Sequence, residues 1–213
     1  MFSTSDLIYY ALYLPCLFLS FRAKESSVHG LFFLRFVLCF GLVTEMAVLV
    51  LRGLRKEENG PYYLYIPAEY VCLVLFYSRN TSSRKIKKIL TASVPVYLLA
   101  ALLLSVFHYH FVSYPSVVYN ISCFFNSIWI SLLLFNFDTG IEKEIWKQPL
   151  FIILSALLIF FAGIFFFNPA YATVQKKDPV LATNLRVYVN TVLNYILYIL
   201  LAYGFICSAR TTK

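Results

Sequence analysis

The sequence predicts an all-α polytopic membrane protein, one bundle of seven transmembrane helices with the N-terminus outside and the C-terminus cytoplasmic. Three observations carry that expectation. Seven apolar stretches, at residues 6–21, 31–51, 62–78, 89–107, 116–136, 149–167 and 187–208, each approach the roughly 20 residues that a spanning helix needs. Hydrophobic residues make up 61% of the chain and charged ones 13%, with a mean hydropathy of +0.75, beyond what a water-soluble core requires. Lysine and arginine are also distributed unevenly between alternate connections, which sets the orientation.

Each stretch has its own reading. Residues 6–21 form the shortest span, with Pro15 inside and the Tyr9-Tyr10 pair at one end, where amphipathic rings favour the headgroup layer. No Lys or Arg precedes it and no A-x-A site follows it, so this span is expected to be retained and not cleaved as a signal peptide. Residues 31–51 contain Arg35 and Glu45; residues 62–78 contain Pro67 and Glu69 behind Tyr62-Tyr63. The connection at 79–89 holds the densest basic run, Arg84-Lys85-Ile86-Lys87-Lys88. Its place between two spans points to anionic lipid headgroups or a cytoplasmic protein partner, and no nucleic-acid-binding motif accompanies it. Residues 89–107 carry Pro95 and end at His108 and His110, an interfacial pair with no third histidine on that side to complete a metal site. Residues 116–136 contain Asn120 and Asn126. The strongly apolar stretch 149–167 follows Trp146, and the Asn-Pro and Lys-Lys-Asp-Pro punctuation of 168–186 reads as turns with room for a short surface helix. Residues 187–208 contain Asn190 and Asn194 but no lysine, which removes a retinal Schiff base from consideration.

Counting cations fixes the expected orientation. One side collects eleven (Arg22, Lys24, Arg79, Arg84, Lys85, Lys87, Lys88, Lys143, Lys147, Arg210, Lys213), the other six (Arg52, Arg55, Lys56, Lys176, Lys177, Arg186), with Arg35 left inside the membrane. The richer side is taken as cytoplasmic. Apolar helices rather than β-strands place a bacterial chain of this kind in the inner membrane.

Ionisable side chains at membrane depth cost about 2.5–3.5 kcal/mol each on insertion scales, which makes them functional candidates. Arg35 sits within about 6 Å of its helix end and can snorkel to the headgroups. Glu45 and Glu69 lie roughly 9 and 12 Å below the same surface, on consecutive helices. Asn120, Asn126, Asn190 and Asn194 fall at similar depth, and the last two share one helix face. Together these six residues are the candidate ligand pocket, open to the outside, with carboxylates as acceptors and amides as two-way hydrogen bonders. For the asparagines, plain helix-to-helix hydrogen bonding is the competing reading. The five cysteines form no C-x-x-C pair and no cluster of zinc spacing, and no nucleophile motif appears, so neither enzymatic activity, a cofactor nor a bound metal is expected.

Three segments carry a resemblance: the run of residues 149–167, Ile66-Pro-Ala-Glu-Tyr70, and the stretch from Asn120 to Trp129. They are similar to uncharacterised seven-helix integral membrane proteins of Bacteroidetes, a group that resembles the membrane sensor regions preceding histidine kinases. The resemblance implies a sensor, receptor-like or accessory signalling subunit that binds a small external ligand. The sequence departs from the sensor pattern in having no kinase, cyclase or DNA-binding domain before Lys213, so a separate cytoplasmic signalling protein is the expected partner, met at the 79–89 connection and at residues 208–213. The alternative is a small transporter or proton-coupled permease using Glu45 and Glu69, which requires a polar route through the cytoplasmic half as well.

Overall fold

The computed structural model describes residues 4–137 and 144–210; Lys143 and Lys213, used in the cation count, lie outside the described residues. Among the described residues seven α-helices run in order: α1 (Thr4–Arg22), α2 (Leu31–Gly53), α3 (Tyr62–Arg79), α4 (Arg84–Leu104), α5 (Ser116–Phe135), α6 (Pro149–Lys177) and α7 (Pro179–Arg210). A π-turn, Ser105–Tyr109, continues α4, and a 3-10 turn, Ile145–Lys147, precedes α6. Five of these helices (α2, α4 with its π-turn, α5, α6 and α7) are long and apolar enough to cross a membrane, and α1 is a shorter apolar one. The α3 helix falls outside that set because five tyrosines, Glu69 and Arg79 dilute its apolar content.

The chain divides into two compact units, one of His29–Trp129, the other of Met1–Val28 with Ile130–Lys213. In the His29–Trp129 unit α3 packs against both α2 and α4. Its buried face holds Ile66, Glu69, Tyr70, Leu73, Val74, Phe76 and Tyr77. Two of the five tyrosines that hydropathy counts against α3, Tyr70 and Tyr77, are thus surrounded by protein. The facing stripe of α2 is Leu31, Leu34, Val37, Leu38, Gly41, Thr44 and Val48, the 3–4 residue spacing of one helix face.

One end of the α2–α3 pair is pinned by polar groups. Asn80, just past α3, accepts from the His29 backbone N–H at 3.2 Å and donates to the carbonyls of His29 at 2.6 Å and Phe76 at 2.9 Å. Gly30 begins α2 with φ 75°, a left-handed conformation that favours glycine, and a Cβ there would meet the Arg79 side chain at 3.3 Å. Asn80→Ala removes all three side-chain bonds and is expected to destabilise the fold by about 1–2 kcal/mol. The thermal midpoint in detergent is the check, and an unchanged midpoint would show that solvent replaces the clamp at no cost.

In the other unit α7 packs against α1 and α6. Tyr9, Tyr13 and Tyr198 form an aromatic cluster, with Tyr13 edge-on to Tyr198 at 4.8 Å between ring centres. Ser208 Oγ accepts from the Lys24 N–H at 3.1 Å, and Ser27 Oγ donates to the Ser208 carbonyl at 3.3 Å, fixing the segment after α1 to the end of α7.

Two expectations are corrected here. Residues 168–186 are not an irregular connection: α6 runs 29 residues and α7 runs 32, broken only at Asp178. Lys176 and Lys177 close α6 at its negative end, Asp178 Oδ1 accepts from the Leu181 N–H at 2.9 Å as an N-cap, and Pro179 takes the first helical position, where its missing N–H costs nothing. At about 1.5 Å per residue these helices reach about 44 and 48 Å, longer than the ~30 Å hydrocarbon layer. The hairpin keeps its antiparallel register throughout, since Ile153 meets Gly204, Leu193 meets Gly163, and the Arg186 guanidinium lies 5.5 Å from the Tyr171 ring centre. The second correction concerns the basic run. It is helical, because Ser83 Oγ caps α4 by accepting from the Ile86 N–H at 3.4 Å, which leaves only residues 80–83 between α3 and α4.

Candidate functional site

Both carboxylates singled out in the sequence are held by tyrosines from the start of α3. Tyr65 Oη donates to Glu69 Oε1 at 2.9 Å, one turn along the same helix face. Tyr62 Oη, one turn earlier, reaches across to Glu45 Oε1 on α2 at 3.5 Å, the long limit of a hydrogen bond. Tyr62 is placed by Tyr114, whose ring meets it edge-on at 5.1 Å. The loop beyond is tied down by Asn59 Nδ2, which donates to the Val112 carbonyl at 3.1 Å, and by Tyr63 Oη, which donates to the Ser113 carbonyl. Arg52 and Glu58 pair at 2.7 Å on the surface of this end, an exposed ion pair of small energetic weight.

The two glutamates differ in burial. Glu45 is half-buried. Glu69 is 7% exposed, and its second oxygen, Oε2, has no hydrogen-bond partner among the described residues. Asn126 on α5 is fully buried. Its amide donates to the Ser122 carbonyl at 3.0 Å and to Ser122 Oγ at 3.2 Å, while Oδ1 has no partner among the described residues. The Tyr77 hydroxyl, also buried, is in the same position. An unpaired buried polar group costs about 1–3 kcal/mol; Asn126 Oδ1 is an acceptor only, as is Glu69 Oε2 when its carboxyl is ionised, while the Tyr77 hydroxyl can donate or accept. The His29–Trp129 unit therefore carries a surplus of buried acceptors, chemistry that suits a hydrogen-bond donor or a cation.

The remaining predicted residues are placed as follows. Asn120 is half-buried on α5, in the unit of Glu45, Glu69 and Asn126. Asn190 and Asn194 belong to the other unit, where Asn194 Nδ2 donates to the Asn190 carbonyl at 2.8 Å, a bond within α7 and not the helix-to-helix bond of the competing reading. Arg84, Lys85, Lys87 and Lys88 are exposed on the first turns of α4. His108 stands edge-on to Tyr109 at 4.6 Å.

Sequence reasoning missed the aromatic network beside the glutamate. Trp129 Nε1 donates to Tyr70 Oη at 3.2 Å, Tyr70 Oη donates to Ser93 Oγ at 2.9 Å, and Ser93 Oγ donates to the Leu90 carbonyl at 2.7 Å. The Tyr70 and Tyr97 rings lie 4.0 Å apart, and Phe125 stacks on Trp129 at 6.1 Å. A tyrosine and a tryptophan in the middle of apolar runs was the available signal, since each needs a partner for its polar tip when buried.

The class of molecule follows from composition and fold together: among the described residues an all-α protein with five helices long and apolar enough to cross a bilayer, the pattern of a multi-pass membrane protein. The chain matches no family model, no curated protein and no solved structure.

Proposed function

We propose that the protein is a sensor, receptor-like or accessory signalling subunit of the bacterial inner membrane, with its N-terminus outside and its C-terminus in the cytoplasm. A small external ligand that donates hydrogen bonds or carries positive charge is received at Glu69, and helix movement passes the signal to a separate cytoplasmic protein. The observation that carries this reading is Glu69 Oε2, a carboxylate oxygen buried without a partner among the described residues while its twin is fixed by Tyr65. Tyr62 on Glu45 ties α2 to the end of α3 from which Tyr65 reaches Glu69, so the two carboxylates are held by neighbouring tyrosines of one helix. The resemblance to sensor regions and the excess of cations on the proposed cytoplasmic side agree with it.

The test combines cross-linking in the native host with mass spectrometry of what co-purifies, and solute uptake by the reconstituted protein. Recovery of a kinase or other soluble signalling protein is the expected result. Uptake that disappears in Glu69→Gln would instead make the chain a small transporter or proton-coupled permease. Glu69→Gln and Glu45→Gln are both expected to insert and fold as the wild type does and to lose the response. Wild-type signalling in both would end the role given to these carboxylates.

A further inference from the structure

We propose that the first turns of α4 form a discrete binding site for an anionic phospholipid, with its phosphate on Arg84, Lys87 and Lys88 and an acyl chain along Pro95, Leu99 and Leu102. The site is an open depression of about 530 Å³ lined by Arg84, Lys87, Lys88, Thr91 and Ala92. These positions follow i, i+3, i+4, i+7 and i+8, so they share one face of the helix.

Charge is the first argument. The opening turn of α4 contains no acidic residue, and among the described residues none of Arg84, Lys85, Lys87 or Lys88 is salt-bridged. Like charges three and four residues apart repel one another, and the positive pole of the helix adds to them. Among the described residues no acidic side chain is paired with this run, whereas a bound phosphate offsets its charge.

Continuity separates a lipid from a free anion. At 100° per residue, Pro95, Leu99 and Leu102 fall within roughly 60° of Arg84, directly above the depression. Leu99 is 58% and Leu102 57% exposed. The buried residues of α4, namely Leu90, Tyr97 and Ala101, lie on the opposite side. From Thr91 to Leu102 the face rises about 16 Å, close to half the ~30 Å hydrocarbon layer and so to the reach of one acyl chain. A cationic foot under an apolar strip of that length fits a phospholipid in one leaflet; free phosphate would use only the foot.

The experiment is a titration of the purified, delipidated protein in detergent, read by native mass spectrometry, with phosphatidylglycerol, phosphatidylcholine and glycerophosphate as probes. Phosphatidylglycerol is expected to bind more tightly than phosphatidylcholine, and its affinity to fall roughly fivefold for each of the two cations removed in the double variant Arg84→Gln/Lys88→Gln. Lys176→Gln/Lys177→Gln removes the same charge from the end of α6 and is expected to leave the affinity unchanged. Equal binding of the two lipids, or equal losses in both double variants, would reduce the site to bulk electrostatics and overturn the proposal. Glycerophosphate competing as well as phosphatidylglycerol would assign the site to a free phosphate and overturn it too. The wild type alone supplies a test independent of variant folding: the preference for phosphatidylglycerol must shrink between about 0.05 and 0.5 M salt, and a preference indifferent to salt refutes the phosphate contact.

Discussion

Tyr70→Ala is expected to be among the most damaging single substitutions in the His29–Trp129 unit, at about 3–5 kcal/mol. The side chain is fully buried, packs on Tyr97 at 4.0 Å, and stands between three helices. Its ring accounts for most of the loss, through the cavity left behind. Its hydroxyl accounts for the rest, because it is the acceptor for Trp129 Nε1 and the donor to Ser93. Tyr70→Phe separates the two contributions. It keeps the ring, strands a buried indole N–H, and is expected to cost about 1–3 kcal/mol. Ser93 keeps its own bond to Leu90 and adds little to that figure. Adding Trp129→Phe to Tyr70→Phe removes the stranded donor, so the double variant is expected to lose less than the sum of the singles. Denaturant-titrated unfolding in micelles provides the measurement. A Tyr70→Phe protein within about 0.3 kcal/mol of wild type would mean that the hydroxyl holds nothing, and the network would have to be abandoned as a source of stability.

The same pair of residues shows where reading the sequence stops. Tyr70 and Trp129 are 59 positions apart, and no periodicity within either helix says that they meet. The polar residues of the site were legible because cost makes them conspicuous: a glutamate in an apolar run needs a reason wherever it is found. Their partners were not, since Tyr62 and Tyr65 look the same whether they sit in a headgroup belt or over a carboxylate. The apolar cores of α2 and α5 were read almost to the residue because flanking polar groups end them sharply. The start of α4 and the α6–α7 turn were misjudged for one shared reason. Bilayer thickness sets where apolar content must end, but a capping residue sets where a helix ends, and Ser83 and Asp178 lie beyond the membrane criterion. Read as caps, Ser83 before the basic run and Asp178 before Pro179 contain the correction already.

Gly204→Ala and Gly163→Ala are expected to part company, although both glycines sit at the α6–α7 contact. A Cβ at Gly204 would stand 2.8 Å from Ile153 Cγ1 and 3.5 Å from the Pro149 carbonyl oxygen. Ile153 is fully buried and β-branched, so its Cγ1 is fixed close to the backbone and has no free rotamer to escape into. The clash must then be relieved by separating the helices. Without a hydrophobic force between helices in lipid, close packing is what holds such a pair together. Overpacking of this kind costs about 1–3 kcal/mol, and Gly204→Leu is expected to reach the top of that range or pass it. At Gly163 the added carbon would meet the methyl groups of Leu193 at 2.7 and 3.0 Å. These are the far end of a flexible, half-buried side chain that can swing aside. The gain of roughly 0.5–1 kcal/mol from replacing a mid-helix glycine offsets what remains, leaving Gly163→Ala near neutral. Unfolding in micelles ranks the three variants. Equal losses at Gly163→Ala and Gly204→Ala would show that the hairpin yields the same way along its length, and that the rigidity assigned to Ile153 is misplaced.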